Sequence, residues 1–307
     1  MTTAKLFKVR ELNLKPWFLE TRPNFLVLPA VLVFLGTAMA WYKGAFHPGY
    51  ALLAFLGLLL SHISVNVLNG YFDYTSGVDL LTKRTPFSGG SGMLPSGLMK
   101  PRHTLWLGII SFLLTIPIGI FFVITRGWAL LPLLLVGAMC ILLYTPLILK
   151  KPWPEWSPGL GLGTLPVLGA YFVQTGSYSI PAIIAAIPSG ILVHNLLLLN
   201  EFPDVAADKT AGKKTLPIAI GKKRAAIFFS FFTVLLYVWT AGAVITGQMP
   251  VFCLIGLLTL PFAIKAIRGS FRYDDMNRLV PGMANNVLVV LITQLLLGIG
   301  YILAKVF

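Results

Sequence analysis

GLGLGTLPVLGAYFVQTGSYSIPAIIAAIPSGILVHNLLLL, residues 159–199, contains no Asp, Glu, Lys or Arg. A membrane-crossing helix needs about 20 mostly apolar residues, so this stretch is roughly two spans long and reads as a helical hairpin. Its break falls at TGSYSIP (175–181), a turn-forming cluster. Residues 225–264 repeat the pattern, uncharged throughout and broken at TGQMP (246–250). Working outward, further apolar runs give nine spans, at approximately 24–42, 50–72, 103–125, 127–149, 159–175, 180–200, 225–245, 249–265 and 282–304. Composition agrees. Of 307 residues, 57% are hydrophobic and 11% charged, against about 25% charged in soluble domains. Mean hydropathy is +0.83. A soluble globular enzyme is excluded, and so is a disordered chain. Cys140 and Cys253 both lie in apolar runs, with no disulfide framework and no metal-cysteine spacing.

Charge tests the span count. With the N-terminus in the cytoplasm, 21 of the 24 basic residues fall on the cytoplasmic side, and only Lys43, Arg126 and Lys305 fall opposite. The positive-inside rule asks for this bias. Were 159–199 a single span, the basic residues would divide twelve and twelve. The expected fold class is therefore all-α: a polytopic membrane protein of nine transmembrane helices, N-terminus cytoplasmic and C-terminus outside. The chain reads as one membrane domain over 1–307, with 1–23 as an interfacial N-terminal segment. Nothing there resembles a cleaved signal peptide. The net charge of +14 needs no nucleic-acid partner, because topology and contact with anionic lipid of the bilayer account for it.

All ten acidic residues also fall on the predicted cytoplasmic side. Polar groups at membrane level are costly and tend to be functional. Two clusters stand out, each at the end of an apolar span. In NVLNGYFDYTSGVD (66–79), Asn66, Asn69 and Asp73 are spaced i, i+3 and i+7 and share one helical face. Gly77 offers a break that turns Asp79 back toward them. In NEFPDVAADKTAGKKTLPIAIG (200–221), Asn200, Asp204 and Asp208 are spaced i, i+4 and i+8 and form one stripe. Lys83 and Arg84 follow the first cluster, and Lys213 and Lys214 the second. This arrangement suits magnesium-bridged diphosphate binding. Magnesium takes hard oxygen ligands, usually one or two carboxylates plus substrate phosphates, and nearby cations neutralise charge on a leaving group.

The two motifs, N-x-x-N-x-Y-x-D-x-x-x-G-x-D at 66–79 and D-x-x-x-D-x-x-x-G-K-x-T-L at 204–216, resemble the paired Asp-rich motifs of the UbiA superfamily of intramembrane prenyltransferases. Nine spans with motifs after the second and sixth resemble that superfamily's helical bundle. Within it the chain is most similar to the MenA-like branch, the 1,4-dihydroxy-2-naphthoate polyprenyltransferases, through the Asp73–Gly77–Asp79 spacing, LLYTP (142–146), GAYFVQTG (169–176) and PFSGGSGMLPSGLMKP (86–101). The chain differs in having Asn69-Gly70 where the family often has Asn-Asp. It also has no acid in GLGLG (159–163), where MenA-like proteins commonly carry one.

The resemblance implies Mg2+ as cofactor, bound by Asp73, Asp79, Asp204 and Asp208 with Asn66, Asn69 and Asn200 supporting them. It implies Lys83, Arg84 and Lys213 as ligands of a polyprenyl diphosphate. It places Tyr71 and Tyr144 near the allylic carbon, where a phenol ring stabilises positive charge; interfacial anchoring is the alternative reading for both. The implied reaction is transfer of the prenyl group to an aromatic acceptor, dihydroxynaphthoate in menaquinone biosynthesis. Hydroxybenzoate, homogentisate, haem or a glycerol-phosphate lipid remain as other acceptors. A transporter is the rival class, but the acids sit at one face, with none in the outer half of any span to continue a path. His62 and His194 are expected to pack or hydrogen-bond within spans. The Gly/Ser/Pro-rich loop 80–102 is the expected lid.

Overall fold

The computed structural model describes residues 14–307. Residues 1–13, most of the expected interfacial segment, lie outside them. The described chain runs α1 (Lys15–Glu20), α2 (Leu28–Tyr42), α3 (Pro48–Thr75), α4 (Val78–Leu81), α5 (Pro101–Arg126), α6 (Leu131–Leu142), α7 (Trp156–Gly159), α8 (Leu165–Thr175), α9 (Ile180–Asn200), α10 (Val205–Thr210), α11 (Leu216–Ile220), α12 (Lys222–Ile245), α13 (Leu260–Ser270) and α14 (Met276–Val306). In lipid every backbone amide needs an internal partner, and a helix supplies one within its own segment. Proline opens α3 and α5, where its missing N–H is not needed. Ser179 caps α9 by accepting from Ala182 N at 3.3 Å. The two expected hairpin breaks are present: α8 ends at Thr175 before Gly176, and α12 ends at Ile245 before Gly247.

Seven helical stretches among the described residues are long and apolar enough to cross a membrane. The other two sequence-predicted spans fall on shorter pieces. For 127–149 there is α6, preceded by a 3₁₀ turn at Trp128–Leu130. For 159–175 there are α7, a π-helical turn at Leu160–Thr164 and α8. The second piece is helical without a gap from Trp156 to Thr175, and Pro158, Pro166 and the glycines between them account for its π-helical turn. They are poor helix formers, and they let this segment close onto α9: a Cβ on Gly159 would lie 2.9 Å from Gly190 O.

Helices α2 and α9 are buried over most of their length, whereas α5 is largely exposed. Exposed Trp106, Ile110, Leu113 and Ile120 on α5, with Phe231, Val234 and Val238 on α12, form the apolar outer surface. Helix α14 packs against α2, α9 and α13, α9 against α12, and α3 against α5. Inside, Asn195 Nδ2 on α9 donates to Phe229 O at 3.0 Å and Thr233 Oγ1 at 2.9 Å on α12. Asn286 on α14 donates to Asn195 O at 3.2 Å. His194 Nε2 accepts from Trp153 Nε1 at 2.9 Å, and His62 Nδ1 lies 3.1 Å from Leu58 O, so both histidines have hydrogen-bonding roles.

Interhelical hydrogen bonds in membranes contribute about 0.6 kcal/mol on average and up to about 1.7. Asn195→Leu is expected to remove the α9–α12 tie and cost roughly that larger amount. It should be read as a lower unfolding midpoint of the detergent-solubilised protein, with Asn285→Leu, whose side chain bonds only within its own helix, as the control.

Candidate active site

Gly77 ends α3 in the left-handed region, φ +82°, a conformation that glycine adopts without steric cost. The chain reverses there, and Asp79 on α4 turns back toward Asp73 as the spacing predicts. The second acidic segment differs from its expected form. Asn200, Asp204 and Asp208 are not one helical stripe, because α9 ends at Asn200 and a turn carries the chain to α10. Pro203 explains the break: it has no N–H to donate and its ring clashes with the preceding turn. The turn nonetheless delivers all three side chains to the same place.

That place is a cleft with a cavity volume of about 130 Å³, part of it open to the surroundings. Asn66, Asn69, Asp73, Asp79, Tyr144, Asn200, Asp204, Asp208 and Lys213 line it. Nine of the twelve sequence-predicted site residues therefore converge. Tyr71, Lys83 and Arg84 are not among the lining residues. Tyr71 packs edge-on against Phe72. Lys83 and Arg84 are exposed, because the chain leaves α4 in an extended conformation at Thr82. The Arg84 guanidinium lies beneath Gly92 and acts on Asp79 through its charge.

Lys213 is the central cation. Its Nζ lies 2.9 Å from Asp73 Oδ1 and 2.8 Å from Asp208 Oδ1, joining the two motifs. Burial by itself would lower the lysine pKa, but the two carboxylates outweigh it and raise it above the ordinary value. Burial, reinforced by Asp73, pushes Asp79 up to about 6. Burial, reinforced by Asp208, pushes Asp204 up to about 7. These are carboxyls short of positive charge. Asp204 Oδ1 and Asn200 Oδ1 are buried and have no hydrogen-bond partner. Hard oxygen donors in this state fit a small divalent cation. Among the described residues, no three His, Cys, Asp or Glu side chains form a ready-made metal cage, so phosphate oxygens would have to complete the ion's shell.

The sequence-predicted lid supplies part of the wall. Ser88, Gly89 and Gly90 line the cleft, and Gly89 N–H donates to the Asp204 carboxylate. Gly90, φ +68°, lies against Asp79, where a Cβ would be 3.1 Å from both carboxylate oxygens.

Three further acidic or basic residues join this region that the spacing of the motifs does not reveal. Arg22 lines the cleft in a left-handed backbone conformation, φ 57°, with Nη2 3.4 Å from Phe87 O. In the sequence it reads as one more basic residue before a span. Glu20 accepts a hydrogen bond from Ser91 Oγ, and its Oε1 sits where a Cβ on Gly70 would come within 3.3 Å. A carboxylate thus stands beside the position at which the family often has Asp. Burial pushes it up to about 7. Glu201 also lines the cleft.

The chain matches the UbiA prenyltransferase family over residues 27–297. It belongs to that family. The 1,4-dihydroxy-2-naphthoate octaprenyltransferase of Bacillus subtilis is 31% identical over 291 residues, covering 92% of this chain and 91% of the relative. The Escherichia coli enzyme of the same name is 26% identical, covering 94% and 96%. Among solved structures, a UbiA homolog from Archaeoglobus fulgidus bound to GPP and Mg2+ shares the fold with a TM-score of 0.61 at 15% identity, covering 95% of this chain and all of the other. The family membership makes this protein a prenyltransferase.

A paired substitution tests the lid contact. Gly90→Ala and Gly97→Ala both place alanine in the left-handed region, φ +68° and +70°, at a cost of about 1–2 kcal/mol. Gly97 has nothing within 4 Å of a Cβ. Prenyl transfer is expected to fall at least about tenfold in Gly90→Ala, which disturbs a group aimed at the transition-state charge, and to persist in Gly97→Ala.

Proposed function

We propose that this chain transfers a polyprenyl group from an allylic polyprenyl diphosphate to an aromatic acceptor, 1,4-dihydroxy-2-naphthoate, on the route to menaquinone. The observation that carries the reading is the convergence of Asp73 and Asp79 with Asp204 and Asp208 around one cleft. The names of the Bacillus subtilis and Escherichia coli relatives support the acceptor, and the GPP and Mg2+ bound by the archaeal homolog support the donor class and the metal.

In this reading Asp73, Asp79, Asp204 and Asp208 hold Mg2+ against the diphosphate. The ion supplies charge stabilisation for the departing diphosphate. Lys213 and Arg22, the cations that line the cleft, bind diphosphate oxygens directly. Lys213 then exchanges a carboxylate partner for phosphate, and the charge it neutralises grows as the allylic C–O bond lengthens. Lys83 and Arg84, exposed in this structure, act on the approaching diphosphate from the loop. Tyr144 faces the cleft with its ring and stabilises the allylic positive charge; Tyr71 has the weaker claim because it lies off the cleft. Asn66, Asn69 and Asn200 orient the carboxylates. Apolar Phe25, Leu28, Val193 and Leu197 on the cleft wall exclude water from the reacting carbons.

The same reading places nine spans in the membrane, with the cleft at the cytoplasmic face and the C-terminus on the other side. Reporter fusions test this: a tag in loop 80–102 should be accessible only from the cytoplasm and a C-terminal tag only from outside.

Asp73→Ala and Asp208→Ala in purified protein, with magnesium and labelled prenyl diphosphate, are each expected to reduce transfer by at least about 100-fold, the usual scale for a group acting on transition-state charge. Undiminished transfer in either variant would defeat the assignment. A panel of dihydroxynaphthoate, hydroxybenzoate, homogentisate and a glycerol-phosphate lipid, read by product mass, tests the acceptor.

A further inference from the structure

Behind the carboxylates that face Lys213 lies a second acidic pair with no cation of its own. Glu155 is completely buried. Its Oε1 accepts the backbone N–H of Leu216 at 2.5 Å, while its Oε2 has no partner. Glu201, 7% exposed, lines the cleft, and neither of its carboxyl oxygens has a hydrogen-bond partner. The Glu155 carboxyl is within hydrogen-bonding reach of it. Ion pairs among the described residues use Asp73, Asp208 and Asp275, but neither of these glutamates.

Asp73 and Asp208 each contact Lys213, whereas neither glutamate is within ion-pair distance of a cation among the described residues. Burial and the adjacent Glu155 push Glu201 well above the usual carboxylate range. The pair is therefore chemically unlike the aspartates. Glu201 presents oxygen lone pairs without hydrogen-bond partners to the cleft. A buried polar atom without a partner is costly, and a ligand that donates a hydrogen bond relieves that cost. A diphosphate has only acceptor oxygens to offer and meets the pair unfavourably. A ring hydroxyl has the required O–H.

We infer that Glu201, held in place by Glu155, is the hydrogen-bond acceptor for a hydroxyl of the aromatic acceptor and so selects hydroxylated rings at this end of the cleft. The inference rests on the proposed prenyl transfer and specifies where in the cleft the acceptor's hydroxyl lies. Glu201 touches the substrate. Glu155 is a positioning residue, anchored through Leu216 to the start of α11.

The geometry makes a prediction about discrimination rather than rate alone. A site built to bind an O–H rejects an analogue lacking it by far more than a pocket that only fits shape. The experiment compares kcat/KM for 1,4-dihydroxy-2-naphthoate with that for its two mono-O-methyl ethers, in wild type, Glu201→Leu, Glu201→Gln and Glu155→Gln. Wild type should prefer the diol over one of the ethers by about 100-fold or more. In Glu201→Leu that preference should shrink to within about fivefold, as expected when the hydroxyl's buried partner is removed, with KM for the prenyl diphosphate little changed. Glu201→Gln keeps an acceptor oxygen and should retain most of the preference, and Glu155→Gln should fall between. The preference is a ratio within one preparation, so partial misfolding does not change it. An unchanged preference in Glu201→Leu overturns the inference. So does a rise in the prenyl diphosphate KM of that variant, because it would place Glu201 with the diphosphate ligands. If wild type transfers to no hydroxylated ring but does transfer to the glycerol-phosphate lipid, the acceptor reading fails first and takes this inference with it.

Discussion

Lys213 joins the two halves of the site. Asp73 closes the long helix α3, and Asp208 belongs to the short α10, more than a hundred residues later in the chain. One ammonium group lies within 3 Å of a carboxylate oxygen from each. Taking carboxylates out of water is costly unless opposite charge compensates them. The lysine supplies part of that compensation, while burial, reinforced by a neighbouring aspartate in each case, still raises Asp79 and Asp204. The fold thus holds a site that is most complete with cations bound. A metal–diphosphate substrate brings the missing positive charge together with the phosphate oxygens that complete a metal shell.

The helix ends that create this site are breaks enforced by single residues. Gly77 reverses the chain after α3, and Pro203 stops α9 from continuing. Each break frees backbone groups that a membrane interior would not tolerate. Both stand at the polar ends of long apolar helices, where turns and solvent satisfy them. The loop at Ser88–Gly90 forms part of the cleft wall, with backbone close enough to meet both Asp79 and Asp204. Long rigid helices fix where the carboxylates stand, and a short glycine-rich segment lines the cleft beside them.

Carboxyls in and behind one cleft differ by neighbourhood. Asp73 and Asp208 contact a cation; Glu155 and Glu201 contact each other. Environment sets the role of a carboxyl more than its identity does, because an opposite charge favours ionisation while burial and a like group oppose it. Asp73 and Asp208, held by Lys213, suit cation and phosphate chemistry, and Glu201 takes the hydroxyl on the inferred assignment.

Much of this was legible in the chain. Uncharged stretches of twice a span's length define hairpins because lipid admits only segments that satisfy their own backbone. The i, i+3, i+7 spacing of Asn66, Asn69 and Asp73 puts them on one face of a helix that does form. Local periodicity ends where helices end. The 200–208 stripe was expected to be one helix, yet Pro203 breaks it, and the same cluster arises through a turn. The glycine- and proline-rich run from 158 to 166 stays helical but passes through a π-helical turn, which hydrophobicity does not foretell. Lys83 and Arg84, close in sequence to Asp79, lie off the cleft, because an extended exit from α4 carries them outward. Arg22 and Glu201 enter it from positions that periodicity treats as ordinary, and Glu20 stands just behind it. Sequence alone determined the membrane helices and the residue types of the motifs, since hydrophobicity and spacing act within one segment. Only the tertiary structure decided which charges face each other, because a carboxyl's partner is set by the packing of segments far apart in the chain.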